Sequence, residues 1–257
     1  MSQKNWTIDP ETGLSFVRSG VREVTTEQLR VVFQPIVAVD TRRTFAHEAL
    51  VRCDVPMFQS PIALFEAATN EQCTGRLGRR IREVVVRDAD GGPIFVNIHP
   101  EELSERWLVR PDDPLCLYEG EVFLEITEAA AFAYFELCMD VLREVRDRMG
   151  ARLVIDDFGA GYSNLKRIVD LHPSVVKLDR SLVSGLDRER RQQILVKGLV
   201  DLCRQLGAKV VAEGVETVGE LHACIDAGAQ YVQGYLLARP GYPHPSVRWP
   251  APPAPLG

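Results

Sequence analysis

The sequence lacks the long apolar run that a membrane-spanning helix requires. No window reaches the roughly 18 uninterrupted apolar residues of such a helix, and residues 1–10 are polar, without the apolar core of a signal peptide. Cys-x-x-Cys pairs are also missing among the six cysteines, which argues against a zinc ribbon or a thioredoxin-type motif. We therefore expect a cytoplasmic protein with reduced thiols and no membrane segment.

The sequence also lacks an excess of positive charge. The chain has 30 basic and 36 acidic residues, a formal net charge of −6. Proteins that bind duplex nucleic acid usually have a basic face, so we expect no duplex partner. The sequence also contains no Walker A, Gly-x-Gly-x-x-Gly, Gly-x-Ser-x-Gly or His-Glu-x-x-His motif. The acidic balance does not exclude a phosphate substrate that is held through metal ions.

The length suits one α/β barrel, since 257 residues are close to the roughly 250 that such a barrel uses. We predict three parts: a lead-in at 1–27, a barrel at 28–240 and a proline-rich tail at 241–257. Seven prolines lie among the 18 residues from Pro240 onward, and the missing amide donors predict an extended tail. The lead-in has no room for an attached sensor module, so we expect none in this chain.

Short apolar runs alternate with segments of helical periodicity. The runs predict eight strands, at 31–39, 45–50, 94–98, 122–126, 153–157, 175–179, 209–213 and 231–236. Such alternation indicates a parallel sheet, and eight units predict a closed TIM-like (β/α)8 barrel. Only residues 40–44 separate the first two runs, too few for a parallel crossover, so the first strand should be antiparallel.

Two helices are predicted from their apolar faces and from the glycines that follow them. One face comprises Phe135, Cys138, Leu142, Val145 and Met149, and the other comprises Leu195, Leu199, Leu202 and Leu206. Gly150 and Gly207 are the expected C-terminal caps.

Polar side chains lie at or near the carboxyl end of seven of the eight runs. They are Glu48, Asn97, Glu125, Asp156, Asp157, Lys177, Asp179, Glu213 and Gln233. These ends meet at one face of a barrel, where active sites lie. Five of these carboxylates would repel each other in one mouth, and divalent cations would relieve that repulsion. The five are Glu48, Glu125, Asp156, Asp157 and Glu213. Oxygen donors without Cys or His favour Mg²⁺ or Mn²⁺ over zinc.

Asp156 and Asp157 are adjacent, and adjacent strand residues face opposite sides of a sheet. They can share a site only where the strand gives way to the glycine-containing segment at 158–161. A second metal ion could then be reached through Asp157. Paired metals about 3.5–4 Å apart activate water and stabilise the leaving oxygen in phosphodiester cleavage.

Three nearby side chains allow two interpretations each. Lys177 either forms a salt bridge with Asp179 on the same strand face or orients the attacking water and stabilises phosphate charge. Arg52 either binds a phosphate or is an ordinary surface arginine. His99, two residues after Asn97, is more often a satisfied polar residue than a ligand.

Short motifs in a fixed order make the chain resemble the EAL domain family of cyclic di-GMP phosphodiesterases. They lie at 34–36 (Gln-Pro-Ile), 48–52 (Glu-Ala-Leu-Val-Arg), 97 (Asn), 125–128 (Glu-Ile-Thr-Glu), 156–163 (Asp-Asp-Phe-Gly-Ala-Gly-Tyr-Ser), 177–180 (Lys-Leu-Asp-Arg), 213–217 (Glu-Gly-Val-Glu-Thr) and 233–234 (Gln-Gly). The resemblance spans about 31–240. It implies a TIM-like barrel with an antiparallel first strand. It also implies that cyclic di-GMP, a bacterial second messenger, is hydrolysed with Mg²⁺ or Mn²⁺ to linear 5′-pGpG.

The resemblance also implies roles at the matching positions. The first metal would be bound by Glu48, Asn97, Glu125 and Asp156, and the second by Asp156, Asp157 and Glu213. The groups expected to act in catalysis are Glu48, Lys177, Glu213 and Gln233. Whether Glu213 or the metals deprotonate the nucleophilic water stays open. The substrate groove would contain Gln34, Leu50, Arg52, Asp179 and Glu216. Glu128 would brace a loop with Phe158, Gly159, Gly161 and Ser163, which in this family contributes to a homodimer contact.

The chain departs from the family pattern at a few positions. His99 replaces the usual serine, Cys53 replaces a frequent tryptophan, Asn164 replaces a second serine, and the stretch between Glu48 and Asn97 is short. No departure removes a metal ligand, so the main hypothesis is an active phosphodiesterase. The alternative is a catalytically inactive cyclic di-GMP receptor or protein-interaction module. A third hypothesis is a phosphodiesterase for another cyclic dinucleotide.

Overall fold

A closed eight-stranded barrel forms the centre of the computed structural model, which describes residues 6–8, 15–17, 20–104, 108–128, 135–160 and 165–251. A two-stranded antiparallel pair precedes it, formed by β1 (Trp6–Ile8) and β2 (Ser15–Val17). The barrel strands are β3 (Leu29–Ala38), β4 (Thr44–Cys53), β5 (Ile94–Asn97), β6 (Val122–Thr127), β7 (Arg152–Phe158), β8 (Val175–Leu178), β9 (Lys209–Ala212) and β10 (Tyr231–Val232). Within the described ranges, no helix combines the length and the apolar character needed to cross a membrane.

The strand order confirms the predicted barrel with an antiparallel first strand. Going round the barrel, the order is β10-β3-β4-β5-β6-β7-β8-β9. β3 runs antiparallel to both of its neighbours, β4 and β10, whereas the other neighbouring pairs are parallel. The short connection after β3 leaves no room for a helix, so β3 and β4 form a hairpin.

Helices cover the outside of the barrel between most strands. They are α1 (Pro61–Asn70), α2 (Thr74–Asp88), α3 (Pro100–Ser104), α4 (Phe135–Met149), α5 (Leu165–Leu171), α6 (Arg180–Val183), α7 (Arg190–Gln205) and α8 (Val218–Ala227). Both helices predicted from periodicity are present as α4 and α7. The glycines after them, Gly150 and Gly207, have positive φ of 67° and 84°, as the caps require.

The buried face of α7 differs from the predicted leucine face. Val196, Val200 and Cys203 are buried in the core, whereas Leu195 is 51% exposed and Leu206 is 37% exposed. Because each helical residue is rotated by about 100° from the one before, a one-residue shift turns the face away from the leucines. Packing against the sheet therefore buries the smaller side chains of this helix, two valines and a cysteine.

The interior of the barrel consists of an apolar layer and a polar layer. The apolar layer contains Ile36, Phe45, Ala46, Phe95, Phe123, Val154, Val175, Val211 and Tyr231. The polar layer contains Gln34, Glu48, Asn97, Glu125, Asp156, Lys177, Glu213 and Gln233. In the parallel strands each polar residue follows an apolar one by two positions, which is the period of a strand. In β3 the order is reversed, because that strand runs the other way.

The segment after the barrel lies along the outer wall beside β3. Phe33 and Gly241 exchange two backbone hydrogen bonds, of 2.8 and 3.0 Å. Farther along, Arg248 donates its backbone N–H to the Leu237 carbonyl, and Trp249 packs against the core. Thus residues 241–251 extend over the part of the wall that the β3–β4 hairpin leaves without a helix. The domain boundaries themselves stay predictions.

Candidate active site

The polar layer opens into a cleft of about 320 Å³ at the carboxyl ends of the parallel strands. The cleft is lined by Gln34, Glu48, Leu50, Asp156, Asp157, Lys177, Arg180, Glu213, Gly214, Glu216, Gln233, Gly234 and Tyr235. The apolar layer closes the barrel below it, with Phe95 and Phe123 stacked at 4.4 Å and Phe45 and Tyr231 at 4.2 Å. The charged groups therefore lie between a dry floor and an open mouth, where electrostatic interactions are strong.

Lys177 lies at the centre of this layer and is 1% exposed. Its Nζ is 2.6 Å from Glu125 Oε1 and 2.6 Å from Glu213 Oε1. The same atom is 3.2 Å from Asp156 Oδ1 and 3.6 Å from Glu48 Oε2. One buried ammonium group thus contacts four carboxylates, which come from four different strands or strand ends.

The salt bridge between Lys177 and Asp179, one of the two interpretations open from sequence, is not the arrangement found. The Asp179 carboxylate instead accepts the backbone N–H of Ser181, at 2.9 Å, and so caps α6. The structure therefore assigns Lys177 to the acidic cluster and Asp179 to the start of a helix.

Two amide side chains hold Glu48 from either side. Asn97 Nδ2 donates to Glu48 Oε1 at 3.2 Å and to Glu125 Oε2 at 2.9 Å. Gln233 Nε2 donates to Glu48 Oε2 at 2.7 Å and lies 3.4 Å from Gln34 Oε1. Glu48 itself lies in the middle of β4 rather than at its end, because the strand continues to Cys53. Its orientation is fixed by these bonds as well as by the strand.

A left-handed residue brings the two adjacent aspartates to the same site. Asp157 has a φ of 55°, a conformation that is uncommon for residues other than glycine. The register between β7 and β8 shifts at the same place, between Ile155 and Phe158. As a result, one carboxylate oxygen from each of Asp156, Asp157 and Glu213 lies within 4.8 Å of the other two. The bend thus lies at Asp157 itself, inside β7, and not in the segment at 158–161 from which the sequence predicted it.

Burial and charge shift the pKa values of the acids in different directions. Burial raises the pKa of Glu125 well above its ordinary value, and Glu48 adds to the rise. Burial also raises the pKa of Glu213, to about 8. For Glu48, burial acts in the same direction, but Lys177 and the bonds from Gln233 and Asn97 outweigh it and hold the pKa below its ordinary value. The metal-free cluster therefore retains protons that a bound divalent cation would displace.

The predicted substrate residues are divided between the cleft and its surroundings. Gln34, Leu50 and Glu216 line the cleft. Arg52 is outside the lining, and its Nη1 donates to the Val51 carbonyl at 2.7 Å. Asp179 is also outside the lining.

Arg180 and Tyr235 line the cleft, although no role was predicted for either residue from the sequence. Arg180 is paired with Glu216 at 3.0 Å. The Tyr235 ring is 49% exposed and lies under the Arg239 guanidinium, 4.3 Å from it. Both residues come directly after short strand-end motifs, Lys-Leu-Asp and Gln-Gly, and that adjacency was the available signal.

The residues predicted to brace the loop after Asp157 are partly described. Glu128 is buried, and its Oε2 accepts the backbone N–H of Gly159 at 3.1 Å. Phe158 is buried in the core, at the end of β7. Gly161 and Ser163, with the neighbouring Asn164, lie outside the described residues. The contact between Glu128 and Gly159 is the connection that the sequence prediction required.

The two residues that depart from the family pattern near Asn97 and Arg52 point away from the acids. The His99 ring stacks on Phe65, with centroids 5.4 Å apart, and its Nδ1 accepts the backbone N–H of Glu101. Cys53 is buried in the outer core. Neither side chain lines the cleft.

Known proteins are similar to this chain in sequence and in fold. The EAL domain family model matches residues 19–240. Cyclic di-GMP phosphodiesterase RocR of Pseudomonas aeruginosa is 36% identical over 156 residues, which cover 58% of this chain and 40% of RocR. Probable cyclic di-GMP phosphodiesterase PdeA of Escherichia coli K12 is 37% identical over 154 residues, covering 58% of this chain and 21% of PdeA. The chain thus spans less than half of the length of these curated relatives.

A solved structure of BlrP1 from Klebsiella pneumoniae, a complex with calcium and cyclic di-GMP, has a similar fold. Its TM-score is 0.76 and its sequence identity is 29%, and the match covers 85% of this chain and 57% of that one. BlrP1 has also been solved with manganese and cyclic di-GMP. These BlrP1 structures therefore contain a divalent cation and cyclic di-GMP in a protein of similar fold.

Proposed function

Because the chain belongs to the EAL domain family, we propose that it is a metal-dependent phosphodiesterase that hydrolyses cyclic di-GMP to linear 5′-pGpG. The observation that carries this proposal is the complete acidic layer, in which every oxygen donor expected from the sequence lies at one end of the barrel. The cyclic di-GMP phosphodiesterases among its relatives supply the substrate class.

The donor set fits Mg²⁺ or Mn²⁺, because it consists of carboxylates and amide oxygens. Asp156, Asp157 and Glu213 already converge within 4.8 Å. Gln233 Oε1 is buried and accepts no hydrogen bond from the described residues, so a buried acceptor is available beside the cluster. Glu48, Asn97, Glu125 and Asp156 would hold a first ion, and Asp156, Asp157 and Glu213 a second. Two such ions activate water and stabilise the leaving oxygen when they are bound.

The chain's own residues would orient the reacting groups. Lys177 brings positive charge to the centre of the cluster, where charge accumulates on the phosphate during hydrolysis. Glu213, whose Oε1 lies 2.6 Å from Lys177 Nζ, would orient the nucleophilic water beside the second ion. Gln233 is bonded to Glu48 and reaches toward Gln34, which ties the catalytic acids to the groove.

The mouth of the cleft is suited to bind a nucleobase by stacking. The exposed Tyr235 ring offers an apolar face at the rim, and aromatic rings stack on nucleobases of any sequence. Glu216 and Arg180 form an exposed ion pair on the same rim. Hydrogen bonding by Gln34 and packing by Leu50 complete the proposed groove, while Arg52 and Asp179 would approach the ligand from outside its lining.

Hydrolysis by the purified chain is the direct test. Incubation with cyclic di-GMP and Mn²⁺ or Mg²⁺ should yield linear 5′-pGpG by chromatography. Glu48→Gln should lower the rate by at least about 100-fold, since it removes a charged ligand and leaves the strand intact. Glu66→Gln, an exposed position on α1, is the matched control and should leave the rate unchanged.

Two results would contradict the proposal. Folded, metal-loaded protein that binds cyclic di-GMP without product would be a receptor. Faster turnover of another cyclic dinucleotide in a substrate panel would change the assigned substrate.

The loop after β7 would also support a homodimer contact. The hydrogen bond from Gly159 to Glu128 joins that loop to the end of β6. If the loop couples dimer formation to the site, Glu128→Gln should change both the dimer fraction measured by light scattering and the hydrolysis rate. A monomeric wild-type chain with full activity would overturn this part of the proposal.

A further inference from the structure

Two histidines and an aspartate converge on the outer wall of the barrel, away from the acidic cleft. His47 lies on β4, Asp90 in the connection between α2 and β5, and His244 in the C-terminal segment. A ring nitrogen of each imidazole and an oxygen of Asp90 all lie within 4.8 Å of one another. We propose that this cluster, the His–Asp–His site, binds a divalent transition-metal ion, with Zn²⁺ as the expected ion.

The site is distinct from the cleft because of the period of the strand. Glu48 faces the barrel interior, so its neighbour His47 faces the outside. None of His47, Asp90 and His244 lines the cleft. The two sites therefore lie on opposite faces of β4 and have different donor chemistry.

His47 is held rigidly by its strand and by aromatic neighbours. It is 9% exposed, and its backbone N–H donates to the Pro93 carbonyl at 3.0 Å. Its ring meets the His244 ring edge to face, with centroids 4.4 Å apart, and lies edge-on to Phe33 at 6.4 Å. A ligand on a strand with fixed neighbours requires little rearrangement to bind an ion.

His244 is positioned by contacts with β3. Its ring stacks on Phe33, with centroids 4.1 Å apart, and the nearby Gly241 exchanges two backbone hydrogen bonds with the same phenylalanine. His244 Nε2 is buried and finds no hydrogen-bond partner within the described ranges. Burial of a polar atom without a hydrogen-bond partner lowers the stability of the folded protein, and coordination of a metal ion would supply the missing interaction.

Asp90 supplies the negative charge. Its Oδ1 accepts the backbone N–H of Gly92 at 3.0 Å, within a tight turn. The same oxygen is 3.9 Å from His244 Nε2. Ligand atoms of a tetrahedral zinc site are separated by about 3.3 Å, given bonds of about 2.0–2.1 Å. A small side-chain rotation of the partly exposed Asp90 closes that difference.

The donor set determines the class of ion. Two imidazoles and one carboxylate suit zinc and its neighbours in the transition series, whereas Mg²⁺ prefers oxygen ligands. Three protein ligands leave a fourth position for water. An ion here would join β4, the α2–β5 connection and the C-terminal segment, three parts that are far apart in the sequence.

Zinc titration of the full chain tests the proposal. Metal-stripped protein is first given excess Mg²⁺ to compete at the acidic cleft, and Zn²⁺ is then added in a calorimeter. We expect tight binding of one Zn²⁺ per chain and a rise in the unfolding temperature. Co²⁺ in place of Zn²⁺ should give the visible absorption of a four-coordinate site.

Substitutions locate the ion. His244→Gln and Asp90→Asn should each weaken zinc binding by at least about 100-fold, since loss of a direct ligand exceeds the roughly 10–100-fold cost of outer changes. Asp90→Asn keeps the oxygen that accepts from Gly92, so its fold is preserved. His222→Gln, an exposed histidine on α8, is the matched control and should bind zinc as the wild type does.

Two outcomes would overturn the proposal. One is a wild-type chain that binds no zinc once Mg²⁺ is present. The other is equal zinc affinity in the wild type, His244→Gln and Asp90→Asn, which would place the ion elsewhere on the chain.

Discussion

At the scale of single residues, Lys177 has the largest electrostatic effect in the site, since its ammonium contacts four carboxylates. We expect Lys177→Met to lower the free energy of unfolding of the metal-free protein by about 3–5 kcal/mol, the usual cost of removing one partner from a buried ion pair. Divalent cations should restore part of that loss, because they replace the missing positive charge. Urea unfolding with and without Mn²⁺ measures both effects.

The matched control for Lys177→Met is Lys209→Met, at the exposed first residue of β9. Its effect on unfolding should stay within about 0.5 kcal/mol, as for other surface changes. A metal-free Lys177→Met protein as stable as the wild type would contradict the role given to the buried cation.

The acids of the site could be predicted from the sequence, but their pairing could not. Each polar residue is marked by its place at the end of an apolar run, and that signal is local. The partners of Lys177 come from distant parts of the chain, and only closure of the barrel makes them neighbours. Asp179, the near acid in sequence, was available to cap α6 instead. Local spacing therefore predicted the members of the site and not its charge pairs.

At the scale of an element, the loop that carries Glu213 and Glu216 is held by Glu220 at the start of α8. The Glu220 carboxylate accepts backbone N–H groups from Gly185 at 2.9 Å and from Glu216 and Thr217 at 3.0 Å. Burial acts to raise the pKa of Glu220, but these donors outweigh it and hold the pKa below its ordinary value. The folded state therefore prefers the ionised carboxylate.

That preference predicts a pH dependence of stability. A carboxyl whose pKa is lowered on folding contributes stability above its unfolded pKa, and this contribution is lost as the pH falls through the folded pKa. As the pH falls through the folded pKa, which lies below the ordinary value of a glutamate, the wild type should lose more free energy of unfolding than Glu220→Gln does. Urea unfolding at a series of pH values measures the two slopes. Equal slopes would show that Glu220 does not carry this effect.

A second prediction at this scale concerns the turn after β10. A Cβ on Gly234 would lie 2.1 Å from the Val215 carbonyl oxygen and 2.4 Å from the Val215 nitrogen, both backbone atoms. Gly234→Ala should therefore destabilise the protein by about 1–3 kcal/mol. It should also slow hydrolysis, because the adjacent Gln233 would be displaced. Thermal unfolding and the chromatographic assay check the two effects.

Gly198→Ala provides the control, since a Cβ there meets nothing within 4 Å on the exposed side of α7. It should stabilise the chain by about 0.5–1 kcal/mol, the usual gain over glycine inside a helix. Normal activity in Gly234→Ala would contradict the importance of the close approach.

Periodicity predicted the barrel strands and two of the helices. It did not predict every strand boundary or which face of α7 is buried. All eight strands were expected, yet the last was expected to run over 231–236 and ends at Val232. Two residues after that end, Gly234 lies close to the backbone of Val215, a contact between separate segments that no local pattern reveals. The exposed leucines of α7 have the same explanation, since packing against the sheet chose the neighbouring face.

At the scale of the whole molecule, the C-terminal segment is part of the barrel wall. Gly241 bonds to Phe33, His244 stacks on it, and the Arg42 guanidinium lies over the Trp249 ring at 5.8 Å. A chain that ends at Pro240 would expose this face of β3. We expect its unfolding temperature in EDTA to fall by several degrees, about 2–4 °C for each kcal/mol lost.

A chain that ends at Ala251 keeps the described contacts of the segment and is the reference for this comparison. Because EDTA removes metal ions, calorimetry of the two truncated chains in EDTA measures the contribution of packing to stability without that of a bound ion. Equal unfolding temperatures would mean that the segment contributes nothing to stability. The proline content of the tail predicts an extended segment, but prolines do not reveal where such a segment lies.

The antiparallel first strand also affects how the protein is made. β3 pairs with β4 at once, but its other partner, β10, lies about 190 residues farther along the sequence. Such long-range pairing folds slowly, because the ends of a long loop must meet before the contacts form. On the ribosome, an unfinished chain therefore has an open sheet with unpaired edges, which are prone to aggregation. The barrel can close only after β10 has been made, and the segment that seals β3 emerges just after that strand.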